Sequence, residues 1–241
     1  MTATFPSHDP NSRGLTPAFR VVTVATREQL SRPPIGARSS EYLHWMPRPL
    51  RTDASDATHH IAALAVEKER VFREPADRRR LLALLGAIVD LYAWNCRAFC
   101  LMGTHFHLIV HTPQPNLSRG MQHLCGVYAQ WFNWKYARRG HLFGRRFGSV
   151  HIVSDEHLFE AHRYVALNPV RAGLCARPEF WRWGSFRSLL GLEEPPPFLD
   201  VAGTLGLFAP RQAVAQAAFS RFVNAVDLDH EDVPLVRITG A

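Results

Sequence analysis

Two short apolar segments separated by three residues constrain the fold more than any other feature of this sequence. Residues 95–101 and 105–112 each have the length and composition of a β-strand, and the Met102–Thr104 connection predicts a hairpin. Side chains alternate between the two faces of a strand, so residues 105–112 separate into two sets. The apolar set is Phe106, Leu108 and Val110, and the histidine-rich set is His105, His107, Ile109 and His111. The hairpin therefore needs a core on one face and presents imidazoles on the other.

Helices and further strands surround this hairpin. The segments with apolar residues at helical spacing are 75–93, 117–138, 155–168 and about 210–225. The other strand-like segments are 59–66, for which a helix is not excluded, and 146–153. We expect Asn116 to cap the second helix and Pro169 to end the third. The order strand, helix, hairpin, helix, strand, helix predicts an α+β fold in which helices cover an antiparallel sheet.

Charge is distributed unevenly along the 241 residues. The middle of the chain, residues 59–192, holds 18 Lys and Arg against nine Asp and Glu, whereas residues 193–241 hold three Arg against seven acids. A basic middle suggests a polyanionic partner, and a basic protein without such a partner is the alternative. Residues 1–45 are rich in Pro, Ser, Arg and Gly, which predicts a disordered or loosely packed N-terminal extension.

Composition also indicates a compartment. No uninterrupted apolar stretch approaches the roughly 18 residues of a transmembrane helix, and the polar N-terminus shows no apolar region like that of a secretory signal. Four scattered cysteines fit a reducing cytosol better than a disulfide framework. Cys96 and Cys100 lie four residues apart, so a regular strand would place both on one face as small packing residues.

Two pairs of residues could carry chemistry. His105 and His107 share one face of a strand and could bind one divalent metal ion, with two surface histidines as the alternative. Tyr164 and Asn168 lie four apart on a helix and also share a face. A tyrosine hydroxyl can attack a phosphodiester, and an amide oxygen can bind a metal. Spacing alone favours the simpler interpretation of this second pair, a packing aromatic and a residue that ends the helix before Pro169.

A basic segment follows the second predicted helix. Residues 138–148 (RRGHLFGRRFG) interleave arginines with glycines and aromatic residues. Arginine pairs with phosphates and aromatic rings stack on bases, so a nucleic-acid surface is one interpretation, and a helix end followed by a turn is the other. Residues 181–187 (WRWGSFR) offer similar groups, although aromatic residues so close together more often form the edge of a core.

These motifs together resemble those of a known family. Residues 100–110 (CLMGTHFHLIV) resemble the His-hydrophobic-His (HUH) strand of single-tyrosine transposases, and residues 116–121 (NLSRGM) and 140–147 (GHLFGRRF) follow in the same order. Residues 163–174 (RYVALNPVRAGL) look like the tyrosine helix of that family. The group that the chain most resembles is the REP-associated tyrosine transposases.

The resemblance covers about residues 46–192 and implies a ferredoxin-like α+β domain there. Residues 193–241 would then form an acidic C-terminal extension with one helix. The implied activity is metal-dependent cleavage and rejoining of single-stranded DNA through a 5′-phosphotyrosine intermediate, on hairpin or palindromic DNA, as in transposition. The implied partner is single-stranded or hairpin DNA, bound by a monomer or homodimer without any membrane, in the bacterial cytoplasm at the nucleoid.

The resemblance also implies roles for individual residues. Tyr164 would be the nucleophile, and His105, His107 and Asn168 would hold Mg²⁺ or Mn²⁺. The arginines expected to contact DNA are Arg138, Arg139, Arg145, Arg146, Arg171 and Arg187.

The sequence departs from the family pattern next to the first histidine. The family usually has Pro followed by Asn or Asp there, where this chain has Gly103 and Thr104. The change could loosen the hairpin turn or remove a contact that supports the metal ligands. The altered turn suggests one alternative function, a DNA-hairpin-binding protein that has lost catalysis. A second alternative, independent of the turn, is a metallohydrolase that uses the same histidines on another phosphoester. Residues 46–51 (MPRPLR) resemble the usual start of such proteins, so we expect residues 1–45 to be dispensable or a misassigned start.

Overall fold

The computed structural model describes residues 53–144 and 146–225. The expectations for residues 1–45, for the start at Met46 and for Arg145 lie outside these ranges. The strands are β1 (Ala57–Leu64), β2 (Asn95–Leu101), β3 (His105–Thr112) and β4 (Gly148–Ile152). The helices are α1 (Pro75–Tyr92), α2 (Leu117–Lys135), α3 (Asp155–Arg171), α4 (Phe186–Leu189), α5 (Val201–Leu205) and α6 (Gln212–Asn224). None of these described helices is both long and apolar enough to cross a membrane.

The four strands form one antiparallel sheet in the order β2-β3-β1-β4. The alternation along β3 has the predicted consequence: Phe106, Leu108 and Val110 lie in the main core with apolar residues of α1 and α2. Ile109 lies in a second cluster with Ala161 and Val165 of α3. Helices α1 and α2 therefore cover one face of the sheet and α3 covers the other. The predicted α+β class is confirmed, and the strand order is that of a split βαβ, ferredoxin-like fold.

A buried carboxylate joins α1 to α2. The side chain of Asp77 is fully buried and accepts hydrogen bonds from the backbone N–H groups of Arg73 (2.7 Å) and Glu74 (3.0 Å) at the start of α1. It also accepts bonds from Lys135 Nζ (2.7 Å) and from the hydroxyl of Tyr136 (2.9 Å) at the end of α2. One side chain thus caps the first helix and fixes the last turn of the second.

The helix that carries Tyr164 does not end where the sequence predicts. It continues through Pro169 to Arg171, so the prediction that Pro169 ends it was wrong. Gly173, with φ of +66°, provides the actual stop. Its N–H donates to the carbonyl of Val170, and the N–H of Leu174 donates to that of Pro169, which is the Schellman pattern. A proline removes one hydrogen bond, and the rest of this last turn is satisfied without it.

The predicted cap of α2 is also different in the structure. Asn116 precedes the helix, but its Oδ1 accepts a hydrogen bond from Trp94 Nε1 at 2.7 Å and caps no helical N–H. The carboxylate of Asp53 caps instead, accepting bonds from the N–H and the hydroxyl of Ser118, both at 2.8 Å. The side chain of Asn116 therefore serves tertiary packing against Trp94.

A bulge in β2 separates the two cysteines that were expected on one face. The pairing of β2 with β3 shifts between Cys96 and Ala98, which leaves Arg97 as an extra residue. Cys96 consequently lies in the main core, and Cys100 lies in the cluster beneath α3. The predicted shared face was wrong because the bulge reverses the alternation.

The predicted C-terminal helix is α6, and it packs against α3. The side chains of Ala215, Phe219 and Val223 are buried in the main core. On the outer side of α3, the guanidinium of Arg163 lies 3.7 Å from the ring centre of Phe222. Helix α3 is therefore held between the sheet and α6.

Candidate active site

The candidate site begins with two histidines on the face of β3 that α3 covers. The ring centres of His105 and His107 are 5.1 Å apart, and both side chains are buried. The hydroxyl of Thr104 lies 3.0 Å from Nδ1 of His105. The turn itself is closed, because the N–H of Met102 donates to the carbonyl of His105 at 2.9 Å.

A third histidine, which the sequence analysis missed, completes the row. His60 on β1 is fully buried, and its Nε2 lies 3.1 Å from Nδ1 of His107. The signal in the sequence was a His-His doublet at 59–60 within an apolar strand. The sequence did not show which face His60 lies on, because β1 is an inner strand that is buried on both faces and so has no alternation of apolar and polar residues.

Tyr164 and Asn168 reach the same histidines from α3. The ring centre of Tyr164 lies 5.5 Å from that of His107 and 5.5 Å from that of His60. Nδ2 of Asn168 lies 3.2 Å from Nε2 of His107. The structure thus brings together all four residues singled out by spacing and resemblance. The guanidinium of Arg171, one further turn along the helix, lies 5.2 Å from the ring centre of Tyr164.

Burial keeps the three imidazoles uncharged. It lowers the pKa of His60 to about 3, with a smaller contribution from His157, and it lowers the pKa of His107 well below its usual value. Burial also lowers the pKa of His105, although a hydrogen bond with Asn168 opposes the shift. At neutral pH each ring therefore keeps a lone pair on one nitrogen, which is the form that binds metals.

The donor set fits a divalent metal site of two imidazoles and one amide. Within the described residues, no group of three or more His, Cys, Asp or Glu side chains is arranged to hold a metal ion. With metal–nitrogen bonds of about 2.1 Å, two imidazoles on one ion have ring centres roughly 4.6–5.3 Å apart. The separation of His105 and His107, 5.1 Å, falls in this range. Asn168 could add an oxygen after rotation of its amide, since its nitrogen and oxygen occupy equivalent positions.

The candidate DNA-contacting arginines fall into two groups. Arg138 bonds to the Glu69 carboxylate at 2.8 Å, and Arg187 bonds to that of Glu193 at 2.9 Å, so both guanidinium groups are engaged within the fold. The other described members are exposed on the surface: Arg139, Arg146 and Arg171. Arg145 lies outside the described residues.

Comparison with known proteins identifies a family for the residues that form this site. Residues 53–168 match the family model described as "Transposase IS200 like", and the match ends at Asn168. Residues 53–168 belong to the IS200-like transposase family. The family membership expected from the sequence motifs is thus confirmed. No curated protein matches the chain.

Two solved structures are similar to this chain. The structure of a REP-associated tyrosine transposase bound to a REP hairpin matches with a TM-score of 0.52 and 14% identity, over 64% of this chain and 90% of that one. A protein described as a transposase from Deinococcus radiodurans R1 matches with a TM-score of 0.35 and 18% identity, over 49% of this chain and 95% of that one. At these identities the first match shows a common fold, in agreement with the sheet order described above.

Proposed function

We propose that this transposase domain cleaves and rejoins single-stranded DNA, with Tyr164 as the nucleophile. The observation that supports the proposal is the placement of the Tyr164 ring 5.5 Å from His107, beside a set of donors suited to a divalent ion. Phosphoryl transfer depends mainly on positioning and on stabilisation of charge, and this arrangement offers both.

In the proposed reaction the phenolic oxygen of Tyr164 attacks a phosphodiester. A bond forms between that oxygen and phosphorus, the bond from phosphorus to the 3′-oxygen breaks, and the DNA is left with a 5′-phosphotyrosine and a free 3′-hydroxyl. The phenolic proton passes to water, and the leaving 3′-oxygen takes one up. Attack by another 3′-hydroxyl reverses these steps, so strands are joined without nucleotide hydrolysis.

His105, His107 and Asn168 would hold Mg²⁺ or Mn²⁺, which would neutralise charge on the scissile phosphate. The guanidinium of Arg171 adds a fixed positive charge 5.2 Å from the ring centre of the nucleophile. We assign DNA contacts first to Arg139, Arg146 and Arg171, because these three side chains are exposed on the surface. The substrate class would be hairpin DNA with a single-stranded flank, such as the REP hairpin bound by the structural relative, and the reaction would take place at the nucleoid.

An adduct assay tests the proposal directly. The protein is incubated with a hairpin oligonucleotide that has a single-stranded flank, in Mg²⁺ or Mn²⁺, and the products are separated under denaturing conditions. A label on the 3′ end should migrate with the protein, and a label on the 5′ end should not. Tyr164→Phe should abolish the adduct. Tyr92→Phe removes a hydroxyl from a half-buried tyrosine on α1 and should leave the adduct unchanged.

Two other outcomes would contradict the proposal. Tight binding of the hairpin without any adduct would indicate a DNA-hairpin-binding protein that has lost catalysis. Multiple-turnover phosphoester hydrolysis that persists in Tyr164→Phe would indicate a metallohydrolase.

A further inference from the structure

Each of the two candidate histidine ligands contacts a further side chain through its Nδ1 atom. Nδ1 of His105 lies 3.0 Å from the Thr104 hydroxyl, and Nδ1 of His107 lies 3.1 Å from Nε2 of His60. In both rings this contact is made by Nδ1, so Nε2 is the candidate metal-binding atom, and Nε2 of His107 lies 3.2 Å from Nδ2 of Asn168.

The direction of these hydrogen bonds follows from the chemistry of metal binding. An imidazole that binds a metal through Nε2 uses the lone pair on that atom, so its proton must be on Nδ1. Nδ1–H of His105 then donates to the hydroxyl oxygen of Thr104, and Nδ1–H of His107 donates to Nε2 of His60. Such partners fix the tautomer and the orientation of a metal-bound histidine, and their loss costs about 10- to 100-fold in metal affinity.

We propose that Thr104 and His60 are positioning residues for the metal ligands His105 and His107. The inference rests on the proposed function, because it needs these histidines to be ligands. This role would explain the presence of Thr104 where the family usually has Asn or Asp, because the threonine hydroxyl supplies a hydrogen-bond partner for His105. The turn that carries Thr104 is closed by backbone hydrogen bonds.

The backbone around Thr104 makes its side chain a rigid support. The carbonyl of Thr104 accepts a hydrogen bond from Ala65 at 3.0 Å, and the carbonyl of Gly103 accepts one from Val71 at 3.1 Å. On the other side, His60 is fixed on the inner strand β1, two residue pairs away from His107, because His60 pairs with Ile109 and His107 pairs with Ala62. Both partners therefore lie on backbone that pairs independently of the site.

Mn²⁺ binding to the protein without DNA, followed by electron paramagnetic resonance, tests this inference. Thr104→Val keeps the shape of the side chain and removes its hydroxyl, and should weaken Mn²⁺ binding about 10-fold. His60→Leu removes the acceptor and should weaken binding roughly 10- to 100-fold. Thr104→Ser and His60→Gln retain a hydrogen-bonding atom and should restore affinity to within about three-fold of wild type.

The chain contains a matched control for the threonine. The Thr58 hydroxyl lies 3.3 Å from Nδ1 of His111, the same kind of contact on the same sheet. Thr58→Val should leave Mn²⁺ affinity unchanged, because His111 is not a proposed ligand. Thermal unfolding of each variant verifies that the fold persists. If His60→Leu unfolds, the Thr104 variants decide whether a hydrogen-bond partner of a ligand histidine affects Mn²⁺ affinity.

The outcomes separate this inference from the proposed function. If His105→Ala abolishes Mn²⁺ binding while Thr104→Val and His60→Leu bind as wild type does, the positioning roles are refuted and the metal site stands. If His105→Ala and His107→Ala also bind as wild type does, the metal site itself is refuted, and the positioning roles with it.

Discussion

Replacing Phe219 by alanine tests whether the C-terminal helix belongs to the same folding unit as the site. The side chain is 1% exposed, and its ring lies 5.3 Å from that of Phe186, 5.0 Å from that of Phe208 and 6.1 Å from that of His162 on α3. Truncation of a phenylalanine enclosed in this way leaves a cavity and costs about 3–5 kcal/mol. With a urea m-value near 3 kcal/mol/M, the unfolding midpoint should fall by roughly 1–1.7 M.

Tryptophan fluorescence is a selective probe for this experiment. All six tryptophans lie between residues 45 and 183, so none is in the segment 193–225 that contains α5 and α6. If α6 is integral to the domain, the fluorescence transition of Phe219→Ala shifts by the full amount. Phe180→Ala removes a phenylalanine ring that is 67% exposed, and should change stability by less than about 0.5 kcal/mol.

A fluorescence transition that is unchanged in Phe219→Ala would refute this reasoning. It would mean that residues 46–192 fold and unfold independently of the C-terminal extension, as a separate domain boundary at 192 predicts. The contacts between α3 and α6 would then contribute nothing to holding the tyrosine helix.

Three further predictions concern single positions. Burial alone would raise the pKa of Asp77, but hydrogen bonds, chiefly from Lys135, outweigh it and lower the pKa. The carboxylate therefore stabilises the fold above the unfolded pKa of about 3.9, and this effect is lost as pH falls through the lower folded pKa. In urea unfolding, the free energies of wild type and Asp77→Asn should differ at pH 7 and converge toward pH 3. Gly120→Ala should lower the free energy of unfolding by about 1–3 kcal/mol in the same measurement, because an added Cβ would lie 2.2 Å from the ring of Trp94. An unchanged free energy of unfolding would show that the ring can move away. Arg171→Ala should slow adduct formation by about 10²-fold at saturating DNA, and an unchanged rate would exclude a role for this charge in the reaction.

The parts of the fold that the sequence predicts are those with a clear period. Strand β3 alternates Phe106, Leu108 and Val110 with histidines, and the structure places the two sets on opposite faces as expected. His60 was not identified from the sequence, because its strand is covered on both faces and shows no alternation of apolar and polar residues. Neither Thr104 nor His60 could be assigned from spacing, since each acts on a histidine whose orientation only the folded sheet defines.

Local rules failed where other features of the fold competed with them. Pro169 does not end its helix because the glycine at 173 provides the left-handed turn that closes it. Asn116 does not cap its helix because Trp94 binds the same oxygen. The bulge at Arg97 reverses the faces of β2, and nothing in the local pattern indicates it.

The uncharged state of the three imidazoles has a consequence for how DNA would be captured. Neutral rings bring no charge of their own, so the attraction for a phosphate would come from the divalent ion that they are proposed to hold and from guanidinium groups outside the row, such as that of Arg171. Recruitment and strand scission would then respond to different variables. Added salt would weaken recruitment by screening the guanidinium groups, while the scission step, once the strand is seated, would proceed at nearly the same speed.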